Sequence, residues 1–159
     1  MSIKLEGLDE VLEAIEVFDE AELKRALGKA CAIVERSAKQ NAPKGNGELR
    51  RSITSKVEGS GTDIVGIVYT PLEYAPYVEY GTGLFAEGGN GRKDVPWYIP
   101  IGNDFTEADA RKYHYSIVEG ANGQKFARTY GSHPHPFMRP ALNENRAEIL
   151  RLLAEALTK

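Results

Sequence analysis

The chain of 159 residues has one cysteine, Cys31. A single thiol excludes an intramolecular disulfide and suits a reducing compartment. Its neighbours Ala30, Ala32 and Ile33 predict a small, buried, apolar role, because a reactive thiol needs an electropositive, partly exposed setting. No apolar run approaches the ~18 residues of a membrane span, so no membrane partner is expected. Positions 1–12 lack the apolar stretch of a secretory signal. An excess of one charge is lacking too: Lys and Arg number 20 against 23 Asp and Glu, for a net charge of −3. That excludes a broad basic face for wrapping nucleic acid. It is compatible with DNA passing through an acidic or neutral channel, where weak attachment favours sliding.

Reactive constellations are equally scarce. There are three histidines, and His133-Pro-His135-Pro is the nearest thing to a metal pair. A metal site normally needs three or four ligands, and the third histidine and the cysteine lie far off in sequence, so a stiff docking turn is the better reading. Glu73 and Glu79 form a carboxylate pair of the kind glycosidases use, but such pairs arise easily in an acid-rich chain. Ser132 beside His133 lacks a nucleophile elbow. The glycines of 81–91 follow neither phosphate-binding order. No catalytic residue, metal ligand or cofactor site is expected.

What the chain does have is punctuation and periodicity. Leu8, Val11, Leu12 and Ile15 make one apolar stripe of a short helix. Asp19, with Glu22 three residues on, predicts the start of a second helix. Along it run Leu23, Ala26, Leu27, Ala30, Ile33, Val34, Ser37 and Ala38. That stripe is alanine-rich, so other elements should approach closely, and Pro43 ends the helix. Two strands are predicted over 49–58 and 63–70, joined as a hairpin by Gly59-Ser60-Gly61. The second is nearly continuous in β-branched residues, as for a strand covered on both faces.

Pro76 suits the first turn of a short helix over 74–80. Order should return near Trp97, Tyr98 and Ile99, with a brief helix over 104–111. A second hairpin is expected from 113–119 and 124–130 around Gly120-Ala121-Asn122-Gly123. Pro140 opens a final helix carrying Leu142, Ile149, Leu152, Leu153, Ala156 and Leu157. Strands and helices are segregated, which predicts an α+β fold with an antiparallel sheet packed by N-terminal helices and a C-terminal helix. The chain length fits a single domain over 1–159. The stretch of about 83–131 is too long for a connection and is expected to form an inserted arm or lobe.

Two segments concentrate the aromatic and proline residues: YAPYVEYGTG at 74–83 and HPHPFMRPALNENR at 133–146. Tyr74, Tyr77, Tyr80, Trp97, Tyr98, Tyr113, Tyr115, Phe126, Tyr130 and Phe137 all fall in the second part of the chain. Tyrosine and tryptophan favour interfaces because they bury large area and keep a polar handle. Glu79 is a candidate to accept backbone or arginine hydrogen bonds, with Arg139 as donor. Gly81 and Gly83 permit backbone shapes other residues resist. Arg50, Arg51 and Lys56 form a basic run, either a solvated strand edge or a contact for an acidic neighbour.

Taken together, these segments resemble a family. An Ala42-Pro43 pair, a glycine turn at Gly47 and a Leu-Arg-Arg-Ser-Ile run at 49–53 are followed by the Tyr-Ala-Pro-Tyr-Val-Glu-Tyr-Gly-Thr segment at 74–82. A closing Pro-Phe-x-x-Pro-Ala-Leu run lies within 134–142. This pattern is similar to the head–tail joining or tail-completion proteins of tailed phages, typified by gene product ten of a lambdoid phage. The likeness spans most of the chain and thins over 84–130. It implies a virion structural protein at the neck, assembled in the bacterial host cytoplasm, without catalysis.

The implied partners are sister copies in a ring, a hexamer where it meets the tail, together with head completion or connector proteins and the tail terminator or tail tube. Genomic DNA would pass through the lumen without sequence-specific binding. A tail terminator ring is the rival role. On this reading Tyr74, Tyr77, Glu79, Tyr80, Gly81, Gly83, Trp97, Tyr98, His133, His135, Phe137 and Arg139 shape the arm or meet a neighbouring subunit, and Arg50 and Arg51 are basic contacts.

Overall fold

The computed structural model describes residues 1–4 and 19–158. The short helix predicted around Leu8, Val11, Leu12 and Ile15 lies outside the described residues. The fold is α+β, with helices and two small antiparallel sheets. The chain forms two compact units, Met1–Glu79 with His135–Lys159, and Tyr80–Pro134. The insertion predicted at about 83–131 falls inside the second unit, here called the lobe.

In the first unit the long helix α1 spans Glu20–Asn41. Asp19 caps it as predicted: its Oδ1 accepts from the N–H of Ala21 at 2.8 Å and of Glu22 at 3.2 Å, satisfying donors a helix leaves free. Ala42 ends it in an extended conformation, the shape imposed on a residue before proline. Leu23, Ala26, Leu27, Ala30, Cys31, Val34 and Ala38 are buried along it. The alanines let two layers approach. One side of α1 meets the sheet, and α1 also contacts helices α5 (Met138–Glu144) and α6 (Arg146–Leu157).

The sheet of this unit has the order β1-β3-β2, with β1 Ser2–Lys4, β2 Thr54–Glu58 and β3 Val65–Tyr69. The β2–β3 hairpin pairs Thr54 with Tyr69 and Glu58 with Val65. Both strands are shorter than predicted. Residues Glu48–Ser52 form helix α2 rather than the start of a strand. The reason is visible in burial: Leu49 is 5% and Ile53 0% exposed while Arg51 between them is exposed, which fits a helical turn, whereas a strand would put all three on one face. Gly47 supplies the left-handed turn that starts α2, at φ 78°. Ser52 then bonds back to the Leu49 carbonyl at 2.8 Å.

The second strand is not covered equally on both faces. Gly66 and Val68 are buried while Val65, Ile67 and Tyr69 are half-buried, because α1 covers one face only. β1 was not anticipated; it adds to the free edge of β3, and the Met1 ammonium donates to the Thr70 carbonyl at 3.1 Å.

The predicted short helix over 74–80 is α3, Ala75–Tyr80. The predicted final helix is instead two, broken at Asn145. The Asn145 side-chain amide donates to the Ala141 carbonyl at 2.7 Å, a local bond that competes with helix continuation.

The lobe has its own three-stranded antiparallel sheet, order β4-β6-β5, built from β4 Trp97–Pro100, β5 Ser116–Glu119 and β6 Lys125–Thr129. The predicted second hairpin is β5–β6. The predicted brief helix is α4, Glu107–Lys112, shifted a few residues because Thr106 and Asp109 form a capping box. Residues 113–115 are not strand. His114 has a left-handed φ of 58°, and the N–H of Tyr115 returns to the Ala110 carbonyl at 2.8 Å, closing the end of α4.

Candidate functional site

The chain leaves the first unit for the lobe after Glu79 and returns at His135. In α3, Ala75 and Glu79 point inward, four residues apart, and both are fully buried. Tyr74 and Tyr77 stay outside, at 39% and 62% exposure. A buried carboxylate needs partners, and Glu79 has four. It accepts from the backbone N–H of Phe137 at 2.7 Å, Met138 at 2.9 Å and Arg139 at 3.1 Å, and from Arg139 Nε at 3.0 Å. The three N–H groups are the free donors at the start of α5, so Glu79 caps a helix whose own preceding residue, Phe137, offers no side-chain cap.

Burial pushes the Glu79 carboxyl up, but the backbone donors and the Arg139 guanidinium outweigh it and hold the carboxyl below its ordinary range. The group is therefore ionised at neutral pH. It holds structure and is not poised for proton transfer, which would require a raised pKa. One residue earlier, the Val78 carbonyl accepts from His135 N–H at 2.8 Å. The two stretches on either side of the insertion are thus joined by five hydrogen bonds inside the first unit.

The lobe's own base is laced in the same way. Thr82 N–H donates to the Ser132 carbonyl, Ser132 N–H to Thr82 Oγ1, and Leu84 N–H to the Tyr130 carbonyl, each at 2.9 Å. The backbones here lie so close that a Cβ on Gly83 would sit 2.1 Å from the Tyr130 carbonyl oxygen, and one on Gly131 2.1 Å from that of Thr82. Both glycines also have positive φ, 58° and 119°. Gly81, at φ 76°, would place a Cβ 2.8 Å from Pro134 and Ser132. His133 lies against the ring of Phe85, centroids 4.0 Å apart, and Tyr115 Oη reaches Ser132 Oγ at 3.2 Å.

The other predicted site residues are spread out. Phe137 is fully buried in the core of the first unit, so it shapes the fold and offers nothing to a neighbour. His135 contributes its backbone N–H, and its side chain is exposed. Trp97 is half-buried beneath Arg92, whose guanidinium lies 5.2 Å from the ring centroid. Tyr80 and Tyr98 are exposed, at 41% and 54%. Arg50 and Arg51 sit on α2 rather than on a strand, with Arg51 bonded to the Asn46 carbonyl at 3.3 Å. Lys56 is on β2, at the edge of the described sheet, paired with Glu58 and lying 5.4 Å from the Tyr69 ring.

Sequence reasoning missed Thr82, Gly131 and Ser132, which complete the lobe base, and Arg128 in β6. The signal for the first three was the second Tyr-Gly step, Tyr130-Gly131, which mirrors Tyr80-Gly81.

The lobe is poor in core. Its buried hydrophobic residues are Ala110 and Ala127, joined by Thr129 among the polar ones. Several of its large side chains lie outward, Leu84 at 58%, Tyr98 at 54% and Tyr113 at 53% exposure, and Trp97, Phe105 and Phe126 are only half-buried. Phe105, Tyr113 and Tyr115 cluster with centroids 5.9–6.4 Å apart. Among the described residues no group of three or more His, Cys, Asp or Glu is placed to hold a metal ion, and no helix is long and apolar enough to cross a membrane.

No curated protein and no solved structure matches the chain. Residues 6–81 match a family model described as "Bacteriophage HK97-gp10, putative tail-component". The matched stretch ends at Gly81, the second residue of the lobe; the likeness expected over most of the chain is therefore found over a little under half of it. Over that stretch, from before α1 to the end of α3, the chain is similar to a component of the phage tail.

Proposed function

We propose that this chain is a structural virion protein of the phage neck, a joining or tail-completion protein of the lambdoid gene-product-ten type. It assembles as a closed ring, six-fold where it meets the tail, between the capsid connector and the tail. The genome passes through the ring without sequence-specific binding, and the protein works by holding chains together rather than by catalysis. The match of residues 6–81 to a phage tail component supports the setting. The observation that carries the mechanism is the lobe. It leaves the first unit after Glu79 and returns at His135, and it buries no side chain larger than threonine. A sheet needs a covering layer, and a unit this small rarely supplies enough core alone. Contact with a neighbouring chain provides the missing burial. Head-to-tail contacts of this kind close into rings when the rotation per subunit closes.

Electron microscopy of particles made without the protein tests this reading. A joining protein leaves complete heads and tails of normal length that fail to attach. Tails of abnormal length would support the terminator role instead, and normal infectious particles would exclude both.

A further inference from the structure

In the lobe sheet, strand register assigns side chains to faces. Trp97, Ile99, Ala127, Thr129 and Ile117 share the face on which Ala127 and Thr129 are buried. The opposite face carries two rows across the strands, Tyr98–Arg128–Ser116 and Pro100–Phe126–Val118. This face is open: Tyr98 is 54% exposed, its ring meets Phe126 edge-on at 6.5 Å, and Tyr98, Val118 and Phe126 line a shallow concavity.

Arg128 stands in the middle of it. Its guanidinium lies 5.9 Å from the Tyr130 ring centroid, yet its Nε is buried without a hydrogen-bond partner. It makes no ion pair among the described residues. Glu119 also lines the concavity but forms no ion pair with Arg128, and a half-buried arginine flanked by tyrosines and apolar neighbours is the composition of an interface hot spot. Its fork matches a carboxylate in two-point geometry.

The same chain holds a complementary surface. Glu144, at the end of α5, and Glu148, in the first turn of α6, are exposed and have no ion pair among the described residues. Together with Ile33, Asn145 and Arg36 they line one groove beside α1. Arg36 offsets one of the two charges, so the groove remains acidic by one.

We infer that the open face of the lobe sheet, centred on Tyr98 and Arg128, docks on a second copy of this chain, with Arg128 received by the Glu144–Glu148 groove. The contact is heterologous, using one surface of each kind per copy, as a ring requires. This inference rests on the self-assembly reading above and specifies the surfaces it uses.

Native mass spectrometry and sedimentation of the full chain over a concentration series test it. The variants are Arg128→Glu, Tyr98→Ser, the pair Glu144→Arg with Glu148→Arg, and all three charge reversals together. Wild type should form oligomers. Arg128→Glu, Tyr98→Ser and the double reversal should each weaken association at least ~10-fold, and the combined reversal should recover most of it. Circular dichroism confirms folding, and Tyr98→Ser, which adds no charge, serves if Arg128→Glu misfolds. Oligomers indifferent to both Tyr98→Ser and the acidic reversals would overturn the assigned surfaces while leaving self-assembly standing. A wild-type chain that stays monomeric at millimolar concentration would overturn self-assembly itself.

Discussion

Arg139 gives Glu79 two hydrogen bonds from 60 residues away, its backbone N–H at 3.1 Å and its Nε at 3.0 Å. Between the two residues the chain makes the whole lobe. The pair thus belongs to a closure: a carboxylate at the end of one short helix caps the start of another, and the insertion leaves and returns beside it.

Removing that carboxylate leaves the buried Phe137 and Met138 N–H donors without their acceptor and takes two hydrogen bonds from Arg139. Glu79→Ala should cost about 2–4 kcal/mol of stability, chiefly from the buried backbone donors left unsatisfied. Glu79→Gln keeps one acceptor oxygen and should cost less, about 1–3 kcal/mol. Urea unfolding followed by circular dichroism measures both. A loss below about 0.5 kcal/mol for the alanine variant would show that Glu79 does not hold the closure.

The same group sets a pH dependence with a definite sign. Its folded pKa lies below the ordinary 4.5. Such a group contributes its full stabilisation above the unfolded value, and loses it as pH falls through the folded value. The stability gap between wild type and Glu79→Gln should therefore be constant from pH 7 down to about 5, then shrink as the solution is acidified further. Unfolding curves of both proteins at a series of pH values check this; a gap that widens toward acid contradicts the assignment.

Gly83 and Gly131 each lie against the backbone beside the other, at the Tyr130 and Thr82 carbonyls, with positive φ and no room for a Cβ. Alanine at either position should cost about 1–3 kcal/mol through backbone strain, with more from the clash. Limited proteolysis should then cut within residues 80–134 much faster than in wild type, while fragments from α1 and α6 stay protected. Equal cleavage rates would mean the lobe base tolerates a side chain.

Cys31 is 1% exposed, and burial raises its thiol to about 11, with the Glu35 carboxylate adding to the effect. At pH 8 the native protein should react with a chromogenic disulfide reagent at least ~100-fold more slowly than the urea-unfolded chain. Absorbance of the released thiolate follows the reaction. Comparable rates would place Cys31 at the surface.

Elements whose signal is local were legible in the sequence. Asp19 and Pro43 bracket α1 because a cap and a proline act on adjacent backbone. Gly59 to Gly61, and Gly120 to Gly123, marked hairpins because a reversal needs permissive residues wherever it occurs. Helix α2 was misread as strand: Leu49 and Ile53 fit a short helical turn as well as a strand, and only burial beneath the first unit's layers selects between them. Asn145 was passed over because the break in the last helix depends on a side chain bonding back to Ala141. In the candidate site, Glu79, Gly81, Gly83 and Arg139 stood out by their place in aromatic and proline-rich runs. Arg128 did not, since an arginine in a strand is ordinary until its lack of a carboxylate is seen.

By itself the sequence determined the α+β composition and the residues able to bend or stiffen the backbone near 81–83 and 133–140, because caps, prolines, glycines and periodicity act over a few residues. Only the tertiary structure decided that Glu79 meets the start of α5 and that Gly83 meets Tyr130. It also decided that none of the lobe's aromatics is fully buried. Each of these depends on which distant backbone arrives next to a given side chain, and that is settled by packing the whole chain at once.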